Sequence, residues 1–103
     1  MKPKVDMIAV TRTGTGDPFR FKVEVSGRRS SDRTVHQVTM SEAAFKRLTT
    51  GYNTPENVVG AAFRFLLDRE PKETILAKFD VMDIARYFPE FEQELPTYLP
   101  KAT

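Results

Sequence analysis

Cysteine and tryptophan are absent from this chain, and histidine occurs once, at His36. Without a thiol there is no disulfide, no thiolate nucleophile and no zinc–thiolate site, a composition that suits a reducing compartment. His36 has no companion ligand or nucleophile beside it, so it reads as a structural or surface residue and not as a metal ligand or acid–base catalyst. Long apolar runs are missing too. The longest, VVGAAFRFLL over 58–67, is about half a membrane span and contains Arg64. The opening MKPKVDMIAV is basic but lacks the apolar run and small-residue cleavage site of a secretory signal, so a cytoplasmic address with no membrane partner is expected.

Signatures of catalysis are equally scarce. The GTG at 14–16 lacks the spacing of a phosphate loop and opens a strand, so no helix N-terminus follows it to receive a phosphate. There is no Gly-x-Ser-x-Gly elbow and no His-Glu-x-x-His helix. Asp80 with Asp83, and Glu90, Glu92 and Glu94, are the carboxylates that could hold a hard cation or move a proton. Their spacing does not fit a calcium loop, Asp80 has a sufficient role as a helix cap, and the glutamates read as solvated surface. No catalytic residue, cofactor-binding residue or metal ligand is assigned on this reading. No cofactor is expected, and the chain is expected not to be an enzyme.

What the sequence does contain is an ordinary globular composition, 40% hydrophobic and 29% charged, with eight Phe and three Tyr in 103 residues. That is enough for one core and too little for two. The net charge of +2 is unevenly spread. Residues 1–40 carry eight basic against four acidic side chains, and residues 41–103 eight basic against ten acidic. Such a division steers partners without being strong enough to demand nucleic acid.

Hydrophobic periodicity changes at about residue 41. In FRFKVEV (19–25), Phe19, Phe21, Val23 and Val25 alternate with Arg20, Lys22 and Glu24, the pattern of a strand with one wet face. KVDMIAVT (4–11) and TVHQVTM (34–40) read as strands on either side of it, joined by the polar loops TGTGDP (13–18) and SGRRSSDR (26–33). The expectation is a three-stranded antiparallel meander over about 4–12, 18–26 and 33–40. Helical spacing follows. Ser41 is placed to cap a helix over about 42–49, with Gly51 near its stop, and Thr54 with Pro55 to start another over about 55–70. On the second, Val59, Ala62, Phe63, Leu66 and Leu67 share a face and Phe65 lies off its centre. Further helices are predicted over about 72–79 and 81–95, the latter capped by Asp80 with Asp83 three places on. The fold class expected is α+β, one domain over 1–95 with helices packed on one face of the sheet. Pro96 and Pro100 mark 96–103 as a flexible tail.

Two surfaces are candidates for binding. The segment FDVMDIARYFPEFE (79–92) holds four rings, of which Tyr87 and Phe91 fit a single buried stripe poorly. With Tyr98 and Leu99 they would form an apolar patch rimmed by glutamates, suited to a protein partner or to self-association as a homodimer, unless the tail folds back and hides them. The other candidate is basic: Arg28, Arg29 and Arg33 around the second loop, with Arg20 and Lys22 on the wet face of the neighbouring strand. These could contact the phosphates of a nucleic acid, although Asp32 and Glu24 dilute the charge and no ring is interleaved for stacking. An interaction module, contacting its partner through a sheet edge or the C-terminal rings, is the preferred expectation and a nucleic-acid-binding domain the alternative. An enzyme or small-ligand binder with an unrecognised site stands third. The stretch FRFLLDREPKETILAKFDVMDIARYFPEFE (63–92) resembles the C-terminal half of a family of small uncharacterised bacterial proteins. That resemblance implies a coherent structural unit and no activity, cofactor or site residue.

Overall fold

Alternating side chains build the first layer. In the computed structural model, which describes residues 7–29, 31–49 and 53–100, the strands are Met7–Gly14 (β1), Phe19–Ser26 (β2) and Arg33–Met40 (β3). Each pairs antiparallel with the next. Residues 4–6 of the first expected strand lie outside the described residues. Phe21, Val23 and Val25 of β2 and His36, Val38 and Met40 of β3 are buried on one face. Arg20, Lys22, Arg33 and Gln37 stand exposed on the other. On β1, Ile8 and Val10 are half-buried toward the core, and Met7, Ala9 and Thr11 face out. Gly16 takes a φ of 93° in the first loop, a conformation most L side chains resist.

The helices start where their caps are written. Ser41 Oγ accepts from the Ala44 N–H at 3.0 Å and opens Glu42–Leu48 (α1). Asp17, reaching over from the first loop, accepts from the Glu42 N–H at 2.9 Å. Thr54 Oγ1 accepts from the Asn57 N–H at 3.1 Å and opens Pro55–Leu67 (α2), with Pro55 at the start of the helix. The expected stop at Gly51 lies outside the described residues. From Val58 to Leu67 every residue of α2 except Arg64 is buried, so this helix is covered on both sides. Phe65, which sequence spacing puts away from the buried face, is wholly enclosed.

The chain after α2 departs from two expectations. The predicted helix over 72–79 is instead a single 3-10 turn, Lys72–Thr74, followed by a short strand, Lys78–Asp80 (β4). β4 runs parallel to β3, with Gln37 opposite Lys78 and Thr39 opposite Asp80, and completes a sheet in the order β1-β2-β3-β4. The Gln37 N–H also donates to the Ala77 carbonyl at 2.7 Å. The pull is tertiary: as a strand residue Phe79 reaches Phe63 of α2, ring centroids 5.8 Å apart. The predicted helix over 81–95 is broken into a turn at Val81–Asp83, Ile84–Tyr87 (α3), Phe91–Glu94 (α4) and a turn at Leu95–Thr97. Pro89 causes the break by holding Phe88 at φ −130°, ψ 88°, outside helical geometry. The Asp80–Asp83 box is present, with Asp83 accepting from the Asp80 N–H at 3.1 Å.

The tail is likewise corrected over its described part. Residues 96–100 continue onto the body, with Leu99 buried in the same hydrophobic cluster as the sheet and α2; residues 101–103 lie outside the described residues.

Candidate functional site

Around Phe65 the C-terminal segment closes a cage of rings. Phe88, Phe91 and Tyr98 all meet Phe65 nearly edge-on, at centroid distances of 5.8, 5.1 and 5.9 Å, the geometry favoured by the ring quadrupole. Arg69, one turn further along the chain, lays its guanidinium carbon 3.6 Å from the Phe65 centroid. It then reaches across to the layer that covers it. It donates to Glu94 at 2.8 Å, to Glu90 at 3.2 Å, to the Phe65 carbonyl at 3.1 Å and to the Tyr98 hydroxyl at 3.4 Å. Burial opposes its charge, but the bonds to Tyr98, Glu90 and Glu94 outweigh burial and its pKa is raised. Tyr98 in turn donates to Asp68 at 2.6 Å, and that bond pushes the phenol pKa up. Arg47 of α1 grips Glu92 at 2.6 Å.

The glutamates of the 90–94 run remain partly solvated, and all three are also arginine-held. Among the described residues no group of three or more His, Asp or Glu is arranged to hold a metal ion.

This closure separates the four candidate contact residues. Phe91 and Leu99 are buried and Tyr98 is packed on Phe65 with its hydroxyl engaged. Only Tyr87 is free of the core, 69% exposed. Its apolar companion is Leu76, 53% exposed. Between them opens a notch of about 230 Å³ with Leu66, Phe79, Ile84 and Phe88 in its lining and Glu70, Thr74 and Asp83 as its polar members. Thr74 donates to Glu70 at 2.7 Å, and Asp83 is fixed by the Asp80 box. The signal available in the sequence was the phase of ILAKF: Ile75 and Phe79 turn in, leaving Leu76 out.

His36 is structural. Its Nδ1 donates to the Leu76 carbonyl at 2.7 Å, since a carbonyl can only accept, and Nε2 is hydrogen-bonded to the Thr34 hydroxyl at 2.8 Å. Its ring lies 5.3 Å from Phe63.

The chain matches no protein-family profile, no curated protein and no solved structure.

The basic candidates divide as well. Arg20 and Lys22 rise from the bare face of β2 and Arg33 from β3, while Arg28 and Arg29 sit exposed at the tip of the hairpin between them. Asp32 does not neutralise that tip. It turns to Lys72, whose Nζ lies 2.8 Å away and whose side chain is only 8% exposed; the Asp32 hydrogen bond raises the lysine pKa. Glu24 lies between Lys22, at 3.2 Å, and Arg33, at 3.5 Å. β4 brings in a cation the sequence reading did not include, Lys78.

No helix among the described residues is long and apolar enough to cross a membrane.

Proposed function

We propose that this chain is a non-enzymatic protein-interaction module that receives, in the Leu76–Tyr87 notch, a partner segment offering one apolar side chain beside a basic one. The observation that supports the reading is the notch itself: two exposed apolar side chains stand over a buried apolar floor, and the acids Glu70 and Asp83 line it. Exposed apolar surface rimmed by polar groups is the usual composition of a protein contact. At about 230 Å³ the notch is smaller than the roughly 300–1,000 Å³ of small-molecule sites, which suits an anchoring side chain better than a substrate. The carboxylates select a basic neighbour for that anchor.

The test is a panel of short peptides that share one leucine or phenylalanine and differ in the charge of its neighbours, titrated into the protein and followed by amide NMR. Basic-flanked peptides should shift Leu76, Asp83 and Tyr87, and acidic-flanked ones should not. Equal response to both, or none, refutes the reading. Light scattering on the same samples reports whether a second copy of the chain is the partner: a dimer dispersed by Leu76→Asp would identify it.

A further inference from the structure

A second concavity lies on the bare face of the sheet. It has a volume of about 350 Å³ and crosses all four strands, lined by Thr13 of β1, Arg20 and Lys22 of β2, Gln37 and Thr39 of β3 and Lys78 of β4, with Phe21 and Val38 between them. Its size falls within the roughly 300–1,000 Å³ range of small-ligand sites. Its chemistry is one-sided. Three cations meet there from two strands that flank β3. Neither Arg20 nor Lys78 has a carboxylate partner among the described residues, while Lys22 is tied to Glu24 at 3.2 Å. An exposed pair of that kind is worth about 0–1 kcal/mol and is readily exchanged for a better anion. Asp80, opposite Thr39 on β4, is engaged by the Thr39 hydroxyl at 3.4 Å.

Sheet geometry sets the span. β2 and β4 are two strand spacings apart, about 10 Å, so Lys22 and Lys78 flank Gln37 in one row, and Arg20, opposite Thr39 in the next row, has a stem long enough to reach over it. Gly14 helps to aim Arg20: a Cβ there would stand 3.3 Å from Arg20 Cδ, so the glycine lets the arginine stem lie close across β1.

We propose that this cleft binds a ligand through two adjacent phosphoryl groups, one held by the fork of Arg20 with Lys22 and the other by Lys78, with the Gln37 amide and Thr13 hydroxyl as further donors. Arginine's planar fork matches phosphate oxygens, and lysine supplies a point charge to the same group. Among the described residues no aromatic side chain stands on this face to stack a base, so recognition ends at the phosphates. The phosphates belong either to a small diphosphate compound or to a nucleic-acid backbone; the two sources present the same chemistry to the cleft.

The experiment is an amide NMR titration of the full chain with inorganic pyrophosphate at fixed ionic strength, with chloride as control and an oligothymidylate as the second arm. Pyrophosphate should give saturable shifts centred on Thr13, Arg20, Lys22, Gln37, Thr39 and Lys78. Arg20→Gln and Lys78→Gln should each weaken binding about tenfold, equivalent to about 1.4 kcal/mol, with unchanged melting curves. An Arg28→Gln/Arg29→Gln double variant should bind pyrophosphate as the parent does. A tighter response to the oligothymidylate at the same six residues assigns the phosphates to a nucleic acid, and a tighter response to pyrophosphate to a small compound. Shifts no larger than those with chloride, or binding lost on changing Arg28 and Arg29 but retained without Arg20 and Lys78, overturn the proposal.

Discussion

On its sheet side, α2 sets Phe63 against His36 and Phe79, with Val23, Val38 and Met40 buried in the same cluster. On its other side, Phe65 meets Phe88, Phe91 and Tyr98 under the guanidinium of Arg69. The first cover is held by β-ladders, so its side chains need only be apolar and of the right shape. The second is a chain of single turns broken at Pro89, with no ladder to fix it. There the fixing falls to side chains, and Arg69, Arg47 and Tyr98 do it from three directions. A layer without a backbone lattice can thus be placed by a few charged bonds, provided a large ring supplies the burial.

Deleting the ring tests this most severely. Phe65→Ala should cost about 3–5 kcal/mol in urea unfolding, because it empties the centre of the cage. Phe63→Ala should cost as much but leave the Tyr98–Asp68 bond in place. A loss below 1 kcal/mol for Phe65 would mean the C-terminal layer is not seated as described.

The clamp comes next. Arg69→Met keeps much of the stem and removes the bonds to Glu90, Glu94 and Tyr98, and should cost about 2–3 kcal/mol, the range of hydrogen bonds to charged groups. On the sheet side, His36→Leu leaves the Leu76 carbonyl and Thr34 hydroxyl without their partner and should cost about 1–2 kcal/mol.

Acid should weaken both covers. Arg12 hydrogen bonds hold the Glu56 carboxyl below its ordinary 4.5, and Glu90 is held down by its own backbone N–H and by Arg69. A carboxylate depressed on folding contributes stability above its unfolded pKa and loses it as pH falls through the folded value. Stability should therefore decline as the pH drops below about 4.5. Asp80 works in the opposite sense, since burial raises its pKa above 3.8 and folding retains its proton. Urea midpoints at neutral and acid pH, with Arg12→Gln flattening the slope, measure the balance. Smallest of all, Leu76→Asp should change stability by no more than about 0.5 kcal/mol while abolishing peptide binding at the notch.

The sheet half was the more legible one for the same reason that it is held by ladders. Alternation in FRFKVEV reports local geometry and its buried face together, and Thr54-Pro55 and Asp80-Asp83 announce their helix starts in adjacent residues. β4 is three residues long and exists because β3 offers an edge some forty positions earlier, which no local pattern records. Phe65 reads as peripheral on a single apolar stripe, but the helix has covers on both sides. Pro96 and Pro100 suggested fraying, yet Pro96 lies within the first turn of a 3-10 helix and Leu99 fills the core beyond it. The notch depends on the exposure of Leu76, and the basic cleft is only half legible, since Arg20 and Lys22 stand in the alternation and Lys78 arrives only with β4.

That late strand carries a consequence for synthesis. Because β4 follows both larger helices, a nascent polypeptide that has completed its meander leaves the ribosome with one border of β3 unzipped until residue 80 emerges. Over that interval the growing chain can be captured by any extended stranger, and the three residues Lys78–Asp80 act as the stitch that closes its Gln37–Thr39 stretch.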